Sequence, residues 1–213
     1  MNTIEIVPGL VLDDEMLDAA TAGLAEHAPE VPALTRDQLL DPLRWWRVPG
    51  PDDDDAGVPL ACKDEFVVFR SDDLTIKIMR WLGPDLRKGE TSQPHTHAWR
   101  VMEAHPLLHG YVDDHWYRTA TGVVVHQGST INLAGDVNRI FDLDYHEVIE
   151  VVEPGRTLSL VICGPRVLDA QGRGKWGHLD LDTGCHVPIQ RNSDEHQRFR
   201  QRLYRINPQH AAA

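Results

Sequence analysis

Leu17, Ala20 and Leu24 recur at helical spacing behind Asp13 and Asp14, two residues suited to capping a helix, and Pro29 closes the segment. Thr35 with Gln38 three residues on resembles a capping box for a short helix that has to end before Pro42. Residues 49–59, Pro-Gly-Pro-Asp-Asp-Asp-Asp-Ala-Gly-Val-Pro, read as an exposed acidic loop. Its adjacent aspartates lack the spacing of an EF-hand loop, so a solvated loop is expected rather than a calcium site.

Beyond residue 64 the period shortens. Glu65–Arg70, Leu74–Trp81, Leu107–Val112, Gly122–His126, Thr130–Leu133, Asn138–Leu143, His146–Val152 and Thr157–Cys163 are short runs rich in Val, Ile, Leu and aromatics, most of them separated by Gly, Pro, Asp or Asn. Many short strands at close spacing predict an antiparallel sandwich or barrel rather than alternating βαβ units. Asn192 and Glu195 form a second capping-box pattern, opening a polar helix from about 193 to 206. The expected organisation is a helical and loop extension over residues 1–64 packed on a β-barrel over 65–190, then a C-terminal helix and tail over 191–213.

Composition narrows the function classes. Asp plus Glu number 33 against 21 Lys plus Arg, a formal net charge of -12. A field of that sign repels phosphate backbones and anionic lipid, so neither nucleic acid nor a membrane surface is expected as a partner. No run of about 18 apolar residues is present to span a bilayer, and the start Met-Asn-Thr-Ile-Glu-Ile has neither a basic region nor an apolar core of a secretory signal. Cys62, Cys163 and Cys185 are odd in number and widely spaced, which suits a reducing compartment. A cytoplasmic location is the expectation.

Histidine is in excess: of 12 in the chain, His95, His97, His105, His109, His115, His126 and His146 fall between residues 95 and 146. Neither a GxSxG elbow nor a phosphate-binding P-loop occurs. Gly172-Arg-Gly174-Lys-Trp-Gly177 matches GxGxxG in letters, but no strand leads into it and no helix follows, so it reads as a loop. His95 and His97 stand two apart. On a strand such residues share a face and can hold one metal ion, with a third His from a neighbouring strand completing a facial set. With 12 histidines an HxH arises by chance roughly 0.7 times, so its surroundings decide its weight.

Those surroundings are Gly89-x5-His95-Thr-His97 followed by Glu103-x6-Gly110, and they resemble the first motif of the cupin superfamily. The spacing departs from that motif between His97 and Glu103, so that Met102 stands where the motif's Glu is usual. Glu103 reaches the histidines only if the chain reverses near Ala98–Arg100, since six strand steps would carry it about 20 Å away. Of the second motif Gly135 and His146 remain, while Phe141, Leu143 and Glu150 replace its Pro, second Gly and Asn. The series His95-x-His97-x-Trp99, Gly110-Tyr111, Tyr145-His146-Glu-Val and Pro154–Arg166, then Trp176-Gly177, is similar to a group of small bacterial cupin proteins over residues 74–180.

The resemblance implies a mainly β fold, the cupin double-stranded β-helix or jelly-roll barrel, with a metal site of His95, His97 and His146 and Glu103 as candidate fourth ligand. Without Glu103 the set resembles the three-histidine iron site of cysteine dioxygenase-like enzymes. Three neutral ligands leave the ion its full charge, which favours an anionic or thiolate substrate with oxygen beside it. The Ser-x-His-x-Tyr series of those enzymes is absent, because Ser159 is followed by Val161 and Cys163. The HxD or HxE of iron and 2-oxoglutarate oxygenases is absent too.

The leading expectation is a mononuclear metal-dependent enzyme, an Fe(II) oxygenase or dioxygenase acting on a small polar molecule. A non-oxidative lyase or isomerase is the first alternative, with Zn, Ni or Mn as Lewis acid and Tyr111, Tyr145 or Glu103 moving protons. A non-enzymatic ligand-binding cupin is the second, and by analogy of fold a homodimer through exposed strand edges is expected. Arg70, Arg80, Arg100 and Arg139 can grip a carboxylate, although a surface position is expected for each. Cys163 reads as a buried inert thiol, and Trp45 and Trp46 as packing residues.

Overall fold

The computed structural model describes residues 2–86, 92–170, 172, 174–190 and 192–210; Gly89 of the first motif lies outside them. Asp13 caps α1 (Asp14–His27), its carboxylate accepting the Met16 N–H at 2.9 Å, with Asp14 and Glu15 complementing the helix dipole in the first turn. Met16, Leu17, Ala20, Gly23 and Leu24 form its buried stripe. The Thr35/Gln38 capping box opens α2 (Arg36–Leu39) as the sequence predicts. A hairpin of β1 (Thr3–Val7) and β2 (Leu10–Asp13) precedes α1, too short to leave a periodic signal.

The remaining strands are β3 (Trp45–Asp53), β4 (Pro59–Arg70), β5 (Thr75–Trp81), β6 (His95–Thr96), β7 (Val101–Leu108), β8 (Gly110–Arg118), β9 (Val124–Leu133), β10 (Asn138–Phe141), β11 (Asp144–Val151), β12 (Thr157–Cys163), β13 (Gly177–Asp180) and β14 (Cys185–Pro188). They form two six-stranded sheets, ordered β10-β7-β12-β5-β4-β3 and β14-β13-β6-β11-β8-β9. From β5 to β12 the chain passes back and forth between them, so that β5-β12-β7-β10 faces β6-β11-β8-β9. That strand order is the jelly roll, and the fold is the mainly β double-stranded β-helix. A C-terminal helix, α3 (Asp194–Arg205), lies against β3, where Arg202 donates to the carbonyls of Gly50 and Pro51.

Several boundaries differ from the sequence reading. The expected barrel start at residue 65 falls inside β4, and β3 and β4 extend the first sheet, so residues 45–64 belong to the barrel. The acidic loop expected over 49–59 is strand as far as Asp53. Pro49 and Pro51 are tolerated there because β3 is the sheet's edge, where a missing N–H loses no ladder bond. Leu107–Val112 is not one strand: His109, at φ 55°, turns the chain from β7 into β8. Conversely Gly122–His126 and Thr130–Leu133 fuse into β9 across a bulge near Gly128. Ser193, not Asn192, caps α3, its hydroxyl accepting the His196 N–H.

The middle of the first sheet, β5 and β12, is buried on both faces. The sheet's outer side carries Trp45, Phe66, Ile76, Ile78, Leu158 and Leu160 against the stripe of α1, each large apolar side chain stabilising the fold by about 1.5–3 kcal/mol. Met79, Trp81, Met102, Ala104, Ile140, Val161 and Cys163 fill its inner side, facing Tyr111, Val148 and Val151 of the second sheet. Gly110 starts β8 against the backbone of β9: a Cβ there would stand 2.1 Å from the Asn132 carbonyl oxygen. Gly110→Ala is expected to lower stability by about 1–3 kcal/mol in chemical denaturation. Gly83→Ala, with nothing within 4 Å of its Cβ, should stay within about 0.5 kcal/mol of the native protein.

His105 joins α1 to this outer face by stacking on His27, with ring centroids 4.2 Å apart. Burial, reinforced by His27, holds the His105 imidazole below its ordinary 6.5. The unfolded chain therefore takes up a proton near that pH while the folded chain resists it, so stability falls as pH drops through 6.5 toward the folded value. In thermal melts, His105→Phe should lose roughly 2–4 °C less than the native protein between about pH 7.5 and 5.5.

Candidate metal centre

β6 is two residues long and hydrogen-bonds to β11 on one side and β13 on the other, with His95 opposite His146 and His178. That register sets His95 beside His146, and His97 follows just past the strand end. One ligand atom from each of His95, His97 and His146 lies within 4.8 Å of the others, and among the described residues this is the group able to hold a metal. His97 Nε2 and His146 Nε2 stand 2.8 Å apart. Two imidazoles bound at right angles to one ion at about 2.1 Å would be about 3 Å apart, so the pair fits a shared ion.

His146 is oriented from behind. Its Nδ1 lies 2.9 and 3.0 Å from the two carboxylate oxygens of Asp113, which also accepts a hydrogen bond from Asn138 Nδ2 at 2.7 Å. Donation from Nδ1 to Asp113 leaves the Nε2 lone pair aimed at the centre, the arrangement that fixes tautomer and raises ligand basicity. Asp113 is fully buried. Burial disfavours its charge, but His146 and the other donors outweigh burial and hold the carboxyl below the ordinary range. His115, two positions on along the same face, comes within 3.5 Å of the same carboxylate.

Glu103 is not brought to the triad. On β7 Met102 and Ala104 take the inward places, and Glu103 points to the outer face, where it pairs with Arg139 at 2.7 Å. The chain does reverse after His97, but its register puts the shorter-spaced Met102 inside. Tyr145 takes the face of β11 opposite to His146, beside Trp116 and Leu179, with its hydroxyl 2.9 Å from His186 Nδ1, and it borders the same cleft as His146. Tyr111 does face inward, 3.5 Å from Asn138 Nδ2. Burial and the neighbouring Asp113 charge raise its phenol far above the ordinary value, so it stays protonated and is neither a ready acid nor a base near neutral pH.

Arg70, Arg100 and Arg139 are exposed as expected, whereas Arg80 is buried on the outer face, bound to Asp64 at 2.7 Å and the Gly155 carbonyl at 2.9 Å. His109 pairs with Glu153, and His126 with Asp114, away from the centre. Cys163 is buried and its thiol is pushed up to about 12 by burial, an inert group. Trp45 packs in the core, and Trp46 stacks on His210 at 3.8 Å.

His97 and His146 line a cleft of about 2210 Å³ that also takes in Trp81, Trp99, Tyr111 and Trp176, while His95 is buried behind them. Trp99 and Trp176 flank His97, with ring centroids 5.7 and 6.2 Å from it. Two ion pairs that sequence reasoning missed line the same wall: Lys63 with Asp85 at 2.6 Å, and Lys77 with Glu65 at 2.8 Å. Burial opposes the charge of Glu65, yet Lys77 and Lys63 outweigh it and hold the carboxyl below its ordinary range. Lys77 was visible as one of two cations, with Arg80, in the largely apolar run Thr75–Trp81, and Asp113 as a carboxylate in phase with Tyr111 and His115.

No family model matches the chain, and no curated protein matches it. Solved structures similar to it include a hydroquinone 1,2-dioxygenase, PnpCD, in complex with Cd2+ and 4-hydroxybenzonitrile, at 12% identity and TM-score 0.35 over 46% of this chain. The aligned part spans 61% of that dioxygenase chain. Pac13, described as a nucleoside dehydratase, aligns at 10% identity and TM-score 0.35 over 71% of this chain and 92% of its own. A Klebsiella pneumoniae protein with a double-stranded β-helix domain aligns at 14% identity and TM-score 0.32, over 58% and 86% of the two chains. Among the described residues no helix is long and apolar enough to cross a membrane.

Asp113→Asn keeps the shape but weakens the acceptor behind His146. Its affinity for a divalent metal, measured by competition with a chromophoric chelator, is expected to fall about 10–100-fold with the fold retained by circular dichroism.

Proposed function

We propose that the protein is a mononuclear metal-dependent enzyme, an Fe(II) oxygenase acting on a small polar molecule that enters the cleft. The observation that carries this reading is the convergence of His95, His97 and His146 within 4.8 Å, with His97 and His146 lining a cleft and His146 held by Asp113. Imidazole donors suit iron, and a bound Fe(II) would supply open positions at which a substrate and oxygen meet. With Glu103 turned away, the ligand group among the described residues is neutral, which favours an anionic substrate group as the next donor. Asp113 acts on the centre through His146 rather than by touching substrate. Trp99 and Trp176, on either side of His97, exclude water and give a flat molecule a surface to stack on. Tyr111, kept protonated within the same cavity, supplies a hydrogen-bond donor.

Metal content by mass spectrometry on anaerobically purified protein, native beside His97→Ala, tests this. Near-stoichiometric iron in the native protein and its loss in the variant are expected, together with oxygen uptake on one of a panel of small thiols, amino acids and organic acids. Zinc, nickel or manganese lost in the same way would replace the oxygenase reading with a lyase or isomerase. An absence of metal in both proteins, even after reconstitution, would overturn the enzyme mechanism.

A further inference from the structure

Lys77 and Glu65 raise a question that packing does not answer. Both line the inside of a β-barrel, where apolar residues of similar volume usually serve stability as well as or better than a buried ion pair. Lys77 is 9% exposed, stands 2.8 Å from Glu65 and rests 5.4 Å from the centre of the Trp99 ring. An ammonium has three donors, and a ring face attracts the charge without supplying an oxygen acceptor. Trp99 adds a second donor: its Nε1–H is buried and has no hydrogen-bond partner among the described residues. Buried polar groups without partners are rare enough in native structures to point to something that arrives from outside. The same indole ring lies 5.7 Å from the His97 ring. Lys63 is placed differently, 2.6 Å from Asp85 and over the ring of Trp81.

We propose that Lys77 and the Trp99 indole N–H together bind a carboxylate of the ligand, making them specificity-determining residues of the cleft. One carboxylate oxygen takes the indole N–H and the other shares the ammonium with Glu65. Trp99, between Lys77 and His97, sets how far the carboxylate lies from the group that meets the histidines. The proposal rests on the reading above only for what happens at that far end, since the recognition itself needs no metal.

Its test uses the intact, chelator-treated protein, titrated with propionate and benzoate and with their neutral amides, propionamide and benzamide, by calorimetry and tryptophan fluorescence. The carboxylates are expected to bind at least about tenfold more tightly than the amides. Lys77→Met should remove that preference, lowering carboxylate affinity about tenfold while leaving the amides unchanged. Trp99→Phe, which keeps the ring face and loses the donor, should weaken the carboxylates roughly fivefold. Glu65→Gln should hold or raise carboxylate affinity, because it removes the competing anion.

A purely structural ion pair would give the opposite pattern, with Lys77→Met and Glu65→Gln weakening binding together. That result would overturn the proposal, as would amides binding as well as carboxylates, or no binding of either carboxylate to the native protein. Metal content is measured in parallel. A native protein that takes no metal yet prefers carboxylates would refute the enzyme reading and leave this one standing; a metal-loaded protein with no preference would do the reverse.

Discussion

The constraint on which the structure depends is that the middle of its first sheet, β5 and β12, is buried on both faces. Side chains on a strand alternate, so each strand has to satisfy two environments at once: α1 and its neighbours on one side, the interior of the jelly roll on the other. In β5 this gives Ile76 and Ile78 to the helix and Lys77, Met79 and Trp81 to the interior. In β7 it gives His105 and Glu103 to the outside and Met102 and Ala104 to the inside. Which residues pack and which face the cleft is decided by parity, and the N-terminal segment is as much a condition of the cleft as the strands that line it.

Within that frame charge is distributed with little redundancy. The triad itself contains no carboxylate, and the one that reaches it by a hydrogen bond, Asp113, orients His146. The interior lysines are each matched by one carboxylate, so the wall carries both signs in balance although the chain as a whole carries a net charge of -12. A cleft so arranged discriminates by the position of charge rather than by its total. Aromatic rings fill the space between charged groups, and rigid rings hold distances with little loss of conformational freedom.

Much of this was legible in the sequence, for reasons that can be named. The capping residues of α1 and α2 act locally, and β12 is bounded by turn residues on both sides, so its predicted span Thr157–Cys163 is the observed one. His95, His97 and His146 were found because the spacing of a jelly-roll motif ties them to one face. What stayed hidden depends on register across the chain. The inward turn of Met102 in place of Glu103 follows from how the segment after His97 re-enters the sheet, which no local signal encodes. The pairing of Lys63 with Asp85 joins a strand to a loop, and Arg80 gave no sign that Asp64 waits beside it. β3 was masked by prolines that an edge strand tolerates, and β6 is too short to have a period at all.

The brevity of β6 bears on how the molecule comes into being. Its two residues are held by β11 and by β13, and β13 in turn by β14, all of them later in the chain. During synthesis His95 emerges well before any strand that can seat it, and β11 in turn emerges before β12, the strand that completes the first sheet under α1. Both the centre and the first sheet therefore depend on pairings distant in sequence, whose loop-closure entropy is lost before the contacts form. A chain cut short before Gly177 would keep every ligand and most of the core, and would still lack the strand that completes the seat of the first.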